Sequence, residues 1–134
     1  IHRARAAALS AYAPYSRFSV GCAVESVDGE IVVGSNMENA CYRLGVCAEI
    51  AALTAVQQAF GLAKVARIAV AGGHVEAGAL AGNAVVTPCG GCRQKISEFA
   101  APDTRVYLCD DQGVQKTVTM AELLPYAFET DAIG

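Results

Sequence analysis

The residues of this chain best suited to chemistry are three cysteines and one glutamate in two short motifs. Cys47 lies two positions before Glu49, and Pro88 precedes a Cys-x-x-Cys motif formed by Cys89 and Cys92. Three thiolates can occupy three of the four tetrahedral positions of a zinc ion, which leaves the fourth open for water. A carboxylate beside that position can move protons without binding the metal. The two motifs therefore indicate a catalytic zinc site.

Both motifs lie where the sequence predicts the start of a helix. The run from Cys47 to Phe60 is apolar nearly all round and is followed by Gly61, which is typical of a buried helix. A second helix is predicted over 90–100, directly after Cys89. Helix N-termini carry partial positive charge and unpaired N–H groups, which lower the pKa of a thiol. We expect the two helix starts to converge on one ion.

Glu49 is predicted to point past the ion, towards water and substrate. Its expected role is general acid and base, taking a proton from water, giving it to a ring nitrogen and later helping to protonate a departing amine. A zinc site with one such carboxylate is the arrangement expected of a hydrolytic deaminase that acts on a nucleobase.

Other interpretations of the cysteines stay open on the motifs alone. A Cys-x-x-Cys can be a redox pair, and a structural zinc ion normally takes four protein ligands. Neither His2 nor His74 has a spacing that suits a fourth ligand, and His74 is predicted to be solvated. Three disulfides fit poorly with the reducing compartment expected for a chain without a visible signal peptide. The remaining cysteines are expected to be buried structural thiols: Cys22, Cys41 and Cys109.

The composition favours one apolar domain over 1–134 and argues against a nucleic-acid partner. Hydrophobic residues make up 54% of the 134 residues and charged residues 17%, so some apolar surface is expected at subunit contacts. The net charge is −3 with scattered basic residues, whereas a protein that binds a phosphate backbone usually shows a basic patch. No apolar run is long enough for a membrane span, and we expect a cytoplasmic location.

The order of predicted elements indicates an α/β fold. Strands are predicted at 18–25, 31–34, 65–71, 105–109 and 114–118, with a short further strand at 84–86. Turns or loops are predicted at Asp28-Gly29, 72–83 and 110–113. Helices are predicted at 3–12, 47–60 and 90–100, and a capping box at Thr119 and Glu122 predicts a short helix near 119–122. We expect a three-layer α-β-α sandwich with one central mixed sheet.

Five segments in order resemble the small homotetrameric zinc-dependent cytidine deaminases. They are the residues 14–21, 36–40, 47–49, 88–94 and 123–128, within a match from about Tyr12 to Phe128. The resemblance implies one Zn²⁺ per subunit and hydrolysis of free cytidine and 2′-deoxycytidine to uridine, 2′-deoxyuridine and ammonia in pyrimidine salvage. It also implies a homotetramer with shared active sites.

The resemblance implies a role for each matching residue. Cys47, Cys89 and Cys92 would hold zinc, and Glu49 would move the protons. The implied substrate contacts are Phe18 and the Ala48 backbone at the base, Asn36 and Glu38 at the ribose, and Tyr42 and Phe128 at a neighbouring subunit's site.

The chain departs from the family pattern at Ile50, where many relatives carry an arginine. Zn²⁺ with three thiolates keeps one net negative charge, which weakens the effect of the metal on water unless dipoles or cations offset it. We expect the helix starts and Arg93 to supply that positive field, with Arg43 as a second candidate.

Three other functions share some of these features. A deaminase of the blasticidin S type has the same zinc motifs, but Glu38 favours a plain ribose because a carboxylate placed for hydroxyls needs them. A polynucleotide-editing deaminase must bind flanking phosphates, which the acidity of the chain disfavours. A non-enzymatic zinc scaffold would keep its function without Glu49.

Overall fold

The computed structural model describes residues 1–82, 85–110, 113–129 and Ile133. Within these ranges the strands are β1 (Ser19–Ser26), β2 (Ile31–Ser35), β3 (Val65–Glu76), β4 (Ala79–Ala81), β5 (Arg105–Asp110) and β6 (Gly113–Thr119). The helices are α1 (His2–Ala8), α2 (Ala48–Ala59), α3 (Gly90–Phe99) and α4 (Met120–Leu123), with 3-10 turns at Tyr42–Leu44 and Leu62–Lys64. None of the helices in these ranges has the length and hydropathy to cross a membrane.

One mixed sheet separates two helical layers. The strand order is β2-β1-β3-β5-β6, with β4 pairing to β3, and β3 with β5 is a parallel pair between antiparallel ones. Because side chains alternate along a strand, Ile68 faces the core formed with α2 and α3, whereas Ala69 faces the one under α1. The predicted three-layer sandwich with a central mixed sheet is confirmed.

Two glycines allow the helices to lie directly on the sheet. A Cβ atom on Gly21 would collide with the Ala4 carbonyl oxygen of α1, and one on Gly34 would collide with the Ala52 nitrogen of α2. The same atom on Gly34 would lie 2.8 Å from the carbonyl oxygen of Ala48, the first residue of α2. The close approach at Gly34 therefore helps to fix the helix start beside Cys47.

The local predictions hold for most elements and fail for three segments. The first helix ends at Ala8 rather than at residue 12. The predicted loop at 72–83 is wrong over 72–76 and 79–81, which belong to β3 and β4. Val85 and Val86 are not in a strand, and Ala84 lies outside the described residues, as do the central residues of the predicted 110–113 turn. The capping box before α4 is confirmed. Cys22 and Cys109 are buried as predicted, but Cys41 is exposed.

Candidate active site

Two helix starts bring three thiols together. Cys47 is the N-cap residue of α2, Cys89 is the N-cap residue of α3, and Cys92 is the third residue of α3. Their sulfur atoms all lie within 4.8 Å of one another. Three sulfurs at the zinc–thiolate distance of about 2.3 Å from one ion would be roughly 3.8 Å apart, so a small adjustment suffices. Among the described residues, no other group of three or more cysteine, histidine or acidic side chains could hold a metal ion.

The three thiols differ in how readily they ionise. The backbone N–H of Cys92, followed by smaller hydrogen bonds from neighbouring groups, lowers the pKa of the Cys89 thiol. Burial raises the pKa of Cys47, and burial together with the negative charge of Glu49 raises the pKa of Cys92 well above its usual value. A dication shared by the three sulfurs would offset both effects, because a coordinated thiol is deprotonated. The chemistry of this donor set fits zinc.

Glu49 lies beside the thiols but outside the group of mutually close ligand atoms. It is the second residue of α2 and is only 5% exposed. Burial raises the pKa of its carboxyl group, and hydrogen bonds from its own backbone and from Cys92 oppose the shift. Glu49 is about half a helical turn from Cys47, so its carboxyl group lies next to the three thiols but is not one of the candidate metal ligands.

Two of the three thiols, Cys47 and Cys89, line a cavity of about 640 Å³ together with Glu49. This volume is within the range of small-molecule sites, about 300–1,000 Å³. Four of the six predicted substrate-binding residues line the cavity: Asn36, Glu38, Tyr42 and Ala48. Sequence reasoning gave no role to several other lining residues, namely Tyr15, Ser16, Val20, Met37, Val46, Val86 and Thr87. Tyr15, Ser16 and Val20 belong to the 14–21 motif, and this motif could have identified them as residues of the site.

Asn36 and Glu38 both hydrogen-bond to the backbone of the segment at 15–20. The Asn36 side chain accepts from the Val20 N–H at 2.8 Å and donates to the Phe18 carbonyl at 3.0 Å. The Oε1 atom of Glu38 accepts from the N–H groups of Tyr15 and Ser16 at 3.0 and 3.1 Å. Hydrogen bonds from Ser16, and then from Tyr15, lower the pKa of Glu38. Both side chains therefore position one wall of the cavity.

The two predicted phenylalanines are not among the residues that line this cavity. The Phe18 ring packs edge-on against His74, with 5.6 Å between ring centroids. Phe128 is 61% exposed, and its carbonyl accepts a hydrogen bond from the Gln94 side chain at 3.0 Å. Tyr42, which does line the cavity, is 79% exposed and packs edge-on against Tyr15.

The two arginines predicted to supply positive charge lie in different settings. Arg93 is half-buried and donates to the carbonyl oxygens of Pro88 and Leu123 at 2.8 and 2.9 Å. Arg43 is exposed in the 3-10 turn at 42–44. Ile50 is half-buried in the first turn of α2. The electrostatic role of either arginine stays a prediction.

A mixed sheet between helical layers, with three thiols and a buried carboxyl group at two helix starts, defines a zinc-dependent hydrolase of the deaminase class. Residues 1–109 match the family described as the cytidine and deoxycytidylate deaminase zinc-binding region. The chain belongs to this family, as its motifs predicted, and zinc is its metal cofactor.

Characterised relatives and solved structures agree with this assignment. The cytidine deaminase of Halalkalibacterium halodurans is 42% identical over 121 residues, which cover 90% of this chain and 85% of that protein. The cytidine deaminase of Mycobacterium tuberculosis H37Rv is 37% identical over 125 residues, covering 93% and 84%. The crystal structure of cytidine deaminase from Burkholderia pseudomallei superposes with a TM-score of 0.84 at 40% identity, over 96% of this chain and 95% of that one.

Proposed function

We propose that this chain hydrolyses free cytidine and 2′-deoxycytidine to uridine and 2′-deoxyuridine with release of ammonia, a step of pyrimidine salvage. The observation that carries the proposal is a cluster of three thiols, two of which line a cavity of about 640 Å³ together with the buried Glu49. Similarity to proteins named cytidine deaminase, at 37–42% identity, supports the choice of substrate.

Glu49 is the group that we expect to move protons. Cys47, Cys89 and Cys92 would hold one zinc ion per subunit, which when bound supplies Lewis-acid activation of water. The Glu49 carboxylate accepts a proton from water and passes it to N3 of the cytosine ring. It then helps to protonate the amine that leaves C4. Burial raises the pKa of Glu49 towards the working pH, which suits a group that must both accept and donate.

Asn36 and Glu38 are assigned to the ribose. The hydrogen bonds of Glu38 to Tyr15 and Ser16 use Oε1, so we assign the second oxygen, Oε2, to a ribose hydroxyl. The amide nitrogen of Asn36 has two N–H groups, one of which bonds to Phe18 and one of which can reach substrate. The Ala48 backbone, which lines the cavity, is assigned to the base. Phe18 is assigned to the base from the family resemblance, since its ring is not part of the cavity lining.

Replacing Glu49 with glutamine tests the proposal. Because the amide keeps the size of the side chain but cannot accept and return a proton, kcat should fall about 10²- to 10⁴-fold. Zinc content should stay at one ion per chain. Loss of absorbance by cytidine, ammonia release and bound zinc are the measurements, and Glu30→Gln at the exposed hairpin turn is the matched control.

Two outcomes would contradict the proposal. Turnover by the Glu49→Gln variant at the wild-type rate would remove Glu49 from the reaction and leave a zinc scaffold as the better interpretation. Turnover of blasticidin S, without turnover of cytidine or 2′-deoxycytidine, would identify the aminonucleoside antibiotic as the substrate.

A further inference from the structure

Arg93 connects three parts of the structure next to the metal site. Its backbone N–H donates to the Cys89 carbonyl at 2.9 Å, as expected in the first turn of α3. Its side chain turns back over the helix start, where Nε donates to the Pro88 carbonyl at 2.8 Å and Nη1 donates to the Leu123 carbonyl at 2.9 Å. One side chain thus joins the peptide before Cys89 to the last residue of α4. We refer to these two side-chain bonds as the Arg93 bridge.

The Arg93 bridge acts on the backbone from which the Cys89 side chain projects. A peptide group is planar, so holding the Pro88 carbonyl also fixes the plane that contains the Cys89 nitrogen. Cys89 has the extended conformation of an N-cap residue, with φ −67° and ψ 168°. Its side chain is exposed, whereas Cys92 is buried. The sulfur with the least packing around it is therefore the one next to the peptide that Arg93 holds.

We propose that Arg93 is a positioning residue for Cys89, and that the Arg93 bridge strengthens zinc binding through geometry. The inference rests on the proposed role of Cys89 as a zinc ligand. It differs from the sequence-based expectation that Arg93 supplies positive charge. A guanidinium group offers N–H donors in a rigid fork and can bond two carbonyls at once, whereas the lysine ammonium is a point charge on a flexible stem. A lysine at this position would keep the charge and lose the bridge.

Zinc affinity in lysine and glutamine variants tests this inference. Affinity is measured by competition with a chromophoric zinc chelator for the wild-type protein, Arg93→Lys and Arg93→Gln. If geometry matters, both variants should bind zinc about 10- to 100-fold more weakly, the usual effect of losing a group that orients a metal ligand. Lys95→Ala removes one charge from an exposed position of the same helix and should leave zinc affinity unchanged.

Two results would overturn the inference. If Arg93→Lys bound zinc with wild-type affinity and Arg93→Gln bound it weakly, the charge of Arg93, not its geometry, would strengthen zinc binding. If both variants bound zinc with wild-type affinity, Arg93 would have no role in zinc binding. The Cys89→Ser variant separates these results from a failure of the proposed ligand set, because it should lose zinc whatever Arg93 does. If Cys89→Ser kept wild-type affinity, the ligand assignment itself would be wrong.

A measurement on the wild-type protein covers the case in which a variant does not fold. In the nitrogen-15 NMR spectrum of the zinc-loaded enzyme, the Nε–H of Arg93 should exchange with water at least about tenfold more slowly than that of the exposed Arg43, because it is hydrogen-bonded and half-buried. Equal exchange rates at the two arginines would show that the Arg93 bridge does not persist in solution, which would refute the proposal.

Discussion

His74 shows how a single residue outside the cavity can affect its wall. Its Nδ1 atom donates to the Arg17 carbonyl at 2.9 Å, and its ring packs edge-on against Phe18. Arg17 has φ +60°, a conformation that residues other than glycine adopt uncommonly. His74 is exposed, as the sequence predicted, and it is also placed to hold the segment at 15–20. The sequence alone did not indicate these contacts.

Replacing His74 with alanine should raise KM for cytidine about 5- to 20-fold with a smaller change in kcat. The lost hydrogen bond and ring contact are each worth about 1 kcal/mol, and the segment they hold is proposed to contact substrate away from the reacting atoms. His74→Asn keeps an N–H near the Nδ1 position and should recover part of the loss. Steady-state kinetics provide the measurement, with Val75→Ala as a neighbouring exposed control. An unchanged KM in His74→Ala would show that the segment does not need this contact.

The cluster of three thiols could be predicted from the sequence, whereas the backbone partners of His74 and Arg93 could not. Cys47, Cys89 and Cys92 stand in short motifs at helix starts, so local spacing carries the information. The partner of His74 and one of the two partners of Arg93 are backbone carbonyls 57 and 30 residues away in the chain. No residue type marks a carbonyl as a partner, and only the tertiary structure brings the two together.

Among the elements, β3 and β4 show where local reasoning fails. Gly72 and Gly73 suggested a loop, yet they continue β3 and pair with Val20 and Ser19 of β1. Glycine is needed at residue 73 because β3 and β4 approach closely there: a Cβ on Gly73 would lie 2.7 Å from the Ala81 carbonyl oxygen. The hairpin, α2 and α3 were predicted correctly because turn residues and helix caps are local signals.

The short helix α4 depends on its capping box, and this gives it a pH dependence. The Glu122 carboxylate accepts from the Thr119 N–H at 3.0 Å, and the Thr119 hydroxyl accepts from the Glu122 N–H at 3.2 Å. These bonds, with the backbone bond first, lower the pKa of Glu122 below its value in the unfolded chain. The charged carboxylate therefore stabilises the folded state above the unfolded pKa, and this contribution is lost as the pH falls through the folded pKa.

We expect Glu122→Ala to lower the thermal unfolding temperature at pH 7, and the difference from wild type to shrink below about pH 4, the usual range of a glutamate pKa. Calorimetry or circular dichroism at several pH values measures both effects. Glu98→Ala, at an exposed position near the end of α3, is the matched control. A difference that is the same at pH 7 and pH 3 would show that the carboxylate charge is not what stabilises the cap.

At the scale of the whole molecule, an exposed apolar surface includes Met37, which lines the cavity. Tyr12, Met37 and Leu44 are 54%, 61% and 60% exposed. They belong to one surface, because Met37 forms β-bridges with Tyr12 and Val46, and the 3-10 turn that holds Leu44 ends two residues before Val46. Exposed apolar patches of this kind mark protein contacts. A second copy of this chain is the partner that we propose, in the homotetramer predicted from the sequence.

A glutamate placed in this surface should dissociate the assembly. The wild-type mass in analytical ultracentrifugation should be about four times that of the chain, and Leu44→Glu should lower it, since a buried unpaired charge costs several kcal/mol. Val27→Glu introduces the same charge at a 68% exposed position in the β1–β2 turn and should leave the mass unchanged. The family resemblance implies that Tyr42 and Phe128 reach a neighbour's site, so the dissociated Leu44→Glu variant should also lose turnover while keeping its zinc. A wild-type monomer with full activity would contradict both the assembly and the sharing of sites.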